Sequence, residues 1–176
     1  RTVQLSGEAY FEVANDTATS FVVQMGDVRA TALGTAFNVE AYAKSARQEI
    51  AVTEGVVSLQ SGKESVRDTV HLGANCLGMV YGSHLQTLRD DAAVRQKTAW
   101  TNGQLVFSDA DFEEVARRLE RWYDVKIESQ IDSGKVDRLN ASFHDVPLSE
   151  VVKAISTALN LNYRGEGDGV VFYRSG

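Results

Sequence analysis

Up to about Gln86 the chain alternates apolar and polar residues in short bursts: VQL, AYFEV, FVVQM, VRATAL, FNVEAYA, EIAVT, VVSLQ and CLGMVYG. Most are separated by Gly, Asn, Asp or Ser, and they are rich in Val, Phe, Tyr, Thr and Ala. In AYFEV, Tyr10 and Glu12 point one way and Phe11 and Val13 the other, the two-residue period of a strand. Gly26, Gly34, Gly62 and Gly73 punctuate the runs. Glu54-Gly55 is predicted to turn a hairpin with the glycine at positive φ. No proline precedes Pro147 and no helical period appears, so residues 1–88 are predicted to form an all-β domain of many short strands. The stretch TLRDDAAVRQKTA (87–99) is polar and mixed in charge, with only Leu88 and Val94 as large apolar residues, and residues 89–101 read as a linker.

The rhythm then changes. From the turn Asn102-Gly103 onward the chain says one phrase twice, 36 residues apart: Phe107 falls on Phe143, Asp109 on Asp145, Glu114 on Glu150, Val115 on Val151 and Val125 on Leu161. Each copy reads strand, helix, strand. The first helix starts near Asp109 or Asp111, where a carboxylate can meet free amides, and buries Phe112, Val115, Leu119 and Trp122. Glu113 and Glu114 stand four residues before Arg117 and Arg118 on the solvated face. The second helix opens with Pro147 and buries Leu148, Val151, Ile155 and Leu159, and GEGDG then turns a hairpin into VVFY. Neither β-α-β unit can bury its helix face alone, so residues 102–176 are predicted to be an α+β domain in which both units cover one small sheet.

Composition narrows the function classes. The chain has 176 residues, 43% hydrophobic and 24% charged, with a net charge of -6. That balance builds a core and argues against a nucleic-acid partner, since no basic face is available for phosphates. No apolar run approaches the roughly 18 residues a spanning helix needs. The chain starts at Arg1 without a signal peptide, so it is expected to be a piece of a longer protein. Cys76, alone in LGANCLGMV, is expected to be a buried, inert thiol.

The candidate chemistry is sparse. His71, His84 and His144 lie far apart and lack metal-ligand spacing. The acidic pairs Asp90-Asp91, Asp109/Asp111 and Glu113-Glu114 fall in the linker or at a helix start, where capping accounts for them. GEGDG lacks the Lys-Ser/Thr of a phosphate loop, and LGT lacks an elbow serine. No enzyme activity, cofactor or metal is expected.

Several strings are distinctive in this order: GEAYFEV (7–13), ALGTAFNVEAY (32–42), VTEGVVSL (52–59), GQLVFSDADFEEVARRLERWYDVKI (103–127) and ASFHDVPLSEVVKAISTALNLNY (141–163). Together they resemble the FecR-type anti-sigma regulators, in particular the form abundant in Bacteroidetes, over essentially the whole chain. The resemblance implies a solenoid-like β domain followed by an STN-like domain (secretin and TonB short N-terminal) with a duplicated β-α-β unit. It implies the periplasmic region of a single-pass inner-membrane protein. The cytoplasmic segment that binds an extracytoplasmic-function sigma factor, and the membrane anchor, would lie outside this chain. The implied partner is the periplasmic signalling domain of a TonB-dependent outer-membrane transporter, whose ligand could be a siderophore or a glycan. No catalytic, cofactor or metal residue is implied.

If two STN-like sheets meet by pairing edge strands, the candidates are Val170, Val171, Phe172 and Tyr173 on one strand, and Leu139, Ala141 and Phe143 on another. The alternative is that these strands are internal or covered. Two other functions stay open: a cell-surface carbohydrate-binding module using Tyr42, Tyr81 and Trp100, and a structural envelope or secretin-like domain.

Overall fold

The computed structural model describes residues 1–15, 19–43, 45–62, 68–131 and 136–174. The chain divides into two compact units, Arg1–Thr98 and Ala99–Gly176. Among the described residues no helix is long and apolar enough to cross a membrane.

The first unit is a stack of two five-stranded sheets. One holds β1 (Thr2–Gln4), β3 (Phe21–Met25), β4 (Val28–Ala32), β7 (Val56–Ser61) and β8 (Asp68–Gly73), in the order β1-β3-β4-β7-β8. The other holds β2 (Gly7–Glu12), β5 (Ala36–Ala41), β6 (Gln48–Glu54), β9 (Cys76–Tyr81) and β10 (His84–Arg89), in the order β10-β9-β6-β5-β2. After β2 the chain lays down two strands in one sheet, then two in the other, and so advances along both together. The alternating side chains Val23, Met25, Ala30, Leu59 and Leu72 of one sheet share a core with Phe37, Val39, Ile50, Val52 and Val80 of the other. All pairing is antiparallel except β1 with β3.

Glu54-Gly55 does not turn a hairpin. Gly55 has the expected positive φ, +78°, but β6 and β7 belong to different sheets, so this is a corner between layers. The corners at Gly34 (φ +61°) and Asn75 (φ 63°) do the same, and they lie in contact or hydrogen-bond with their neighbours. Val13 N–H donates to the Thr35 carbonyl at 2.8 Å, and Asn75 N–H to the Val52 carbonyl at 2.9 Å. Cys76 is only half-buried, at the margin of the core rather than inside it.

The segment expected to be a linker is structured. Arg89 ends β10, helix α1 (Asp91–Thr98) follows, and a 3-10 turn covers Ala99–Asn102. Asp90 caps α1 through its carboxylate, which accepts from Ala93 N–H at 3.0 Å. Val94, the helix's one fully buried side chain, packs on Ala51 and Leu77 of β6 and β9. One apolar residue leaves no periodic stripe in the sequence, yet it suffices where a ready sheet face receives it.

In the second unit the 36-residue repeat is realised residue for residue. Helix α2 (Phe112–Tyr123) and helix α3 (Leu148–Leu159) are each 12 residues long, and both their starts and their ends are 36 residues apart. Their C-caps, Asp124 (φ 52°) and Asn160 (φ 51°), are both left-handed, and so are Asp109 (φ 50°) and Asp145 (φ 49°) before the helices. These residue types tolerate that region best after glycine.

The repeat does not build one sheet. Among the described residues β11 (Gln104–Ala110) pairs only with β13 (Leu139–His144), while β12 (Lys126–Gln130) and β14 (Asn162–Glu166) flank β15 (Gly169–Tyr173) in a second, three-stranded sheet. Each β-α-β unit therefore places its two strands in different sheets, and α2 and α3 pack against both. The reason is the width of the apolar surface. Val151, Val152, Ile155, Ser156 and Leu159 of α3 are all buried, too broad a stripe for one layer.

Candidate partner-docking surface

Each sequence-predicted docking residue can now be placed. β15 is the central strand of its sheet, paired parallel with β12 and antiparallel with β14. Val170, Val171, Phe172 and Tyr173 therefore have no open edge, and the edge pairing expected of them is excluded by the register. Phe172 is fully buried against Phe112, their rings edge-on at 5.2 Å, so its side chain is also out of reach. The strand reads as terminal in the sequence because it comes last; its position in the sheet is set by the crossover, which local pattern does not encode.

Leu139, Ala141 and Phe143 lie on β13, whose second edge meets no strand among the described residues. Their side chains turn inward, Leu139 buried and Phe143 against Phe107 at 6.3 Å. The outward side chains are Asn140, Ser142 and His144, all exposed. β13 thus offers backbone and polar tips rather than an apolar face.

The two repeats differ in how their edges are treated. In the first copy, Arg118 of α2 donates to the Val106 carbonyl of β11, with Glu114 beside it at 2.8 Å and the Phe107 ring 5.9 Å below. Glu120 accepts from Ile127 N–H of β12 at 3.1 Å. Both contacts occupy main-chain groups that a visiting strand would need. The positions 36 residues on are Ala154 and Ser156. Alanine cannot reach a backbone group, and Ser156 instead donates to the Leu161 carbonyl. Val106 and Ser142 face each other in register. Because the Val106 carbonyl turns to Arg118, the pair is one whose main-chain groups point outward, which leaves Ser142 N–H and C=O on the open side of β13. Sequence reasoning treated Arg118 only as a surface ion-pair partner; the comparison of the two copies was the available signal.

Chemistry of other kinds is thin. Among the described residues no group of three or more His, Cys, Asp or Glu is arranged to hold a metal ion. His144 Nε2 lies 3.1 Å from Asp145 Oδ2, but both are largely exposed. Tyr42 donates to Glu8 at 3.4 Å, and Arg47 donates to the Tyr81 hydroxyl at 3.4 Å, so both tyrosines take part in internal networks. Lys126 has its pKa raised by its hydrogen bond and ion pair with Glu128 on the same strand.

The chain is thus a strand-rich unit followed by a duplicated α+β unit that leaves one strand edge unpaired among the described residues. The family described as "FecR protein" matches residues 1–58, and that described as "FecR, C-terminal" matches residues 104–172. Two crystal structures, each of a "putative anti-sigma factor" from Parabacteroides distasonis, superpose along all of this chain. One is 26% identical with a TM-score of 0.85, the other 27% identical with a TM-score of 0.83; 100% of this chain and 81% of the other is covered in both cases. No curated protein matches. The chain belongs to the FecR family of anti-sigma factors.

Proposed function

We propose that this chain is the periplasmic, signal-receiving region of a membrane-anchored anti-sigma factor. In this reading its second unit is an STN-like domain that receives the periplasmic signalling domain of a TonB-dependent outer-membrane transporter on the β13 edge. The signal passes to an extracytoplasmic-function sigma factor through segments outside this chain. The observation that carries the reading is the family match in both units, together with the full-length likeness to the two anti-sigma structures. The edge assignment rests on the difference between the repeats, blocked in the first copy and open in the second.

The test is a calorimetric titration of the chain with the isolated signalling domain of the transporter encoded beside it. Saturable one-to-one binding, abolished by Ser142→Pro in a chain that keeps its circular dichroism, supports both role and edge, because proline removes an outward donor without touching the β11 ladder. Binding untouched by Ser142→Pro keeps the role and discards the edge. Two folded partners that do not bind would sink the reading and make glycan binding the next assay.

A further inference from the structure

The outer face of the sheet formed by β2, β5, β6, β9 and β10 carries carboxylates in line. Glu8 faces Glu40 across β2 and β5, and Glu40 faces Glu49 across β5 and β6. Like charges at directly opposed positions repel. Glu8 is answered by Asn38, which donates to it at 2.9 Å, and by Tyr42. Glu40 and Glu49 share Lys97 of α1, whose Nζ is 3.1 Å from Glu40 Oε2 and pairs with Glu49 Oε2, while Arg47 pairs with Glu49 Oε1. Glu49 is 3% exposed, so its charge is out of water and depends on these cations.

Apart from this clasp, α1 docks through Val94. The core shared by the two sheets contains no residue of α1. The helix contributes Val94 to a small separate cluster with Ala51, Leu77 and Met79, and its Arg95–Asp91 pair is exposed. An 8-residue helix has no stability in isolation, so α1 exists only while docked. It is also the segment through which the chain leaves the first unit, since Thr98 is followed directly by Ala99 of the second.

We infer that α1 is a charge-latched strap: Lys97, clasped between Glu40 and Glu49, docks it on the sheet, and it opens as a unit while the sheets beneath stay folded. Opening uncovers Ala51, Leu77 and Met79 and leaves Glu40 and Glu49 facing each other without their shared lysine. A pull on the chain at Ala99 acts on this joint before it acts on either sheet. The inference concerns the first unit alone and does not depend on the partner named above.

The test is native-state hydrogen exchange on the full chain. In the wild type, α1 amides exchange faster than those of β5, β6 and β9, and their opening is nearly insensitive to urea, because a local opening exposes little surface. Lys97→Met speeds α1 exchange by at least about tenfold, while the core strands still exchange more slowly than α1 and with a steeper urea slope. Adding Glu49→Gln recovers part of the loss, and Arg95→Ala changes nothing. If wild-type α1 amides share the rate and urea slope of β6, α1 is an integral layer and the strap is overturned; that measurement needs no variant to fold. Unchanged α1 exchange in Lys97→Met would overturn the latch.

Discussion

Gly55 illustrates what one residue's surroundings decide. Its φ of +78° lies where a side chain is strained, and a Cβ there would strike the Gly34 carbonyl oxygen and sit 2.6 Å from Thr35 Cγ2. Gly26 has a similar φ, +61°, but a Cβ would meet open space. Gly26→Ala is expected to cost about 1–2 kcal/mol, the left-handed penalty alone. Gly55→Ala adds a backbone clash between two stacked corners and should exceed about 3 kcal/mol. Urea midpoints of the two variants check the difference, and equal losses would mean the corners are not in contact. The positive φ at Gly55 was legible in the sequence because Gly between two β runs demands it. That the turn joins two layers was not, because sheet membership is decided by pairing partners far along the chain.

At the level of elements, α2 and α3 could be read from their stripes and even from their caps, since each repeats the other. Their surroundings could not, because a stripe reports that a helix is covered and not by how many layers. Tyr123, the last residue of α2, shows what the second layer adds. Its hydroxyl donates to the Val146 carbonyl at 2.6 Å, ahead of α3, and burial raises its pKa above the usual 10.0. A raised pKa means the unfolded chain ionises first as the solution becomes alkaline. The stabilising term is therefore full below pH 10 and is lost as pH climbs from the unfolded value through the folded one. Stability of the wild type should fall over that window relative to Tyr123→Phe, whose own loss of one hydrogen bond, about 1 kcal/mol, is independent of pH. Urea titrations at stepped pH from about 8 to about 11 measure the difference; parallel curves would mean Tyr123 ionises as freely folded as unfolded.

For the molecule as a whole, the two cores among the described residues come from separate stretches of chain: one draws on Val23 to Val80, the other on Leu105 to Phe172. Each unit has its own core, so fragments 1–98 and 99–176 should each fold alone, as far-UV circular dichroism and a cooperative urea transition of each would show. The boundary matters. The polar composition of residues 89–101 ends the β unit at 88 and reads as a linker, because α1 has only Val94 to show for its burial. Cutting at 88 removes Val94 and Lys97 together, exposing Ala51 and Leu77 and leaving Glu49 with Arg47 alone. Fragment 1–88 should still fold, since the shared core lacks α1, but with a stability about 2 kcal/mol or more below that of 1–98. Denaturant melts of the two fragments decide it. Equal stability would mean that α1 rests on the sheet without holding it. A 1–88 fragment that fails to fold would mean that the helix completes the core, and the boundary between structure and strap would then have to be drawn inside the sheet.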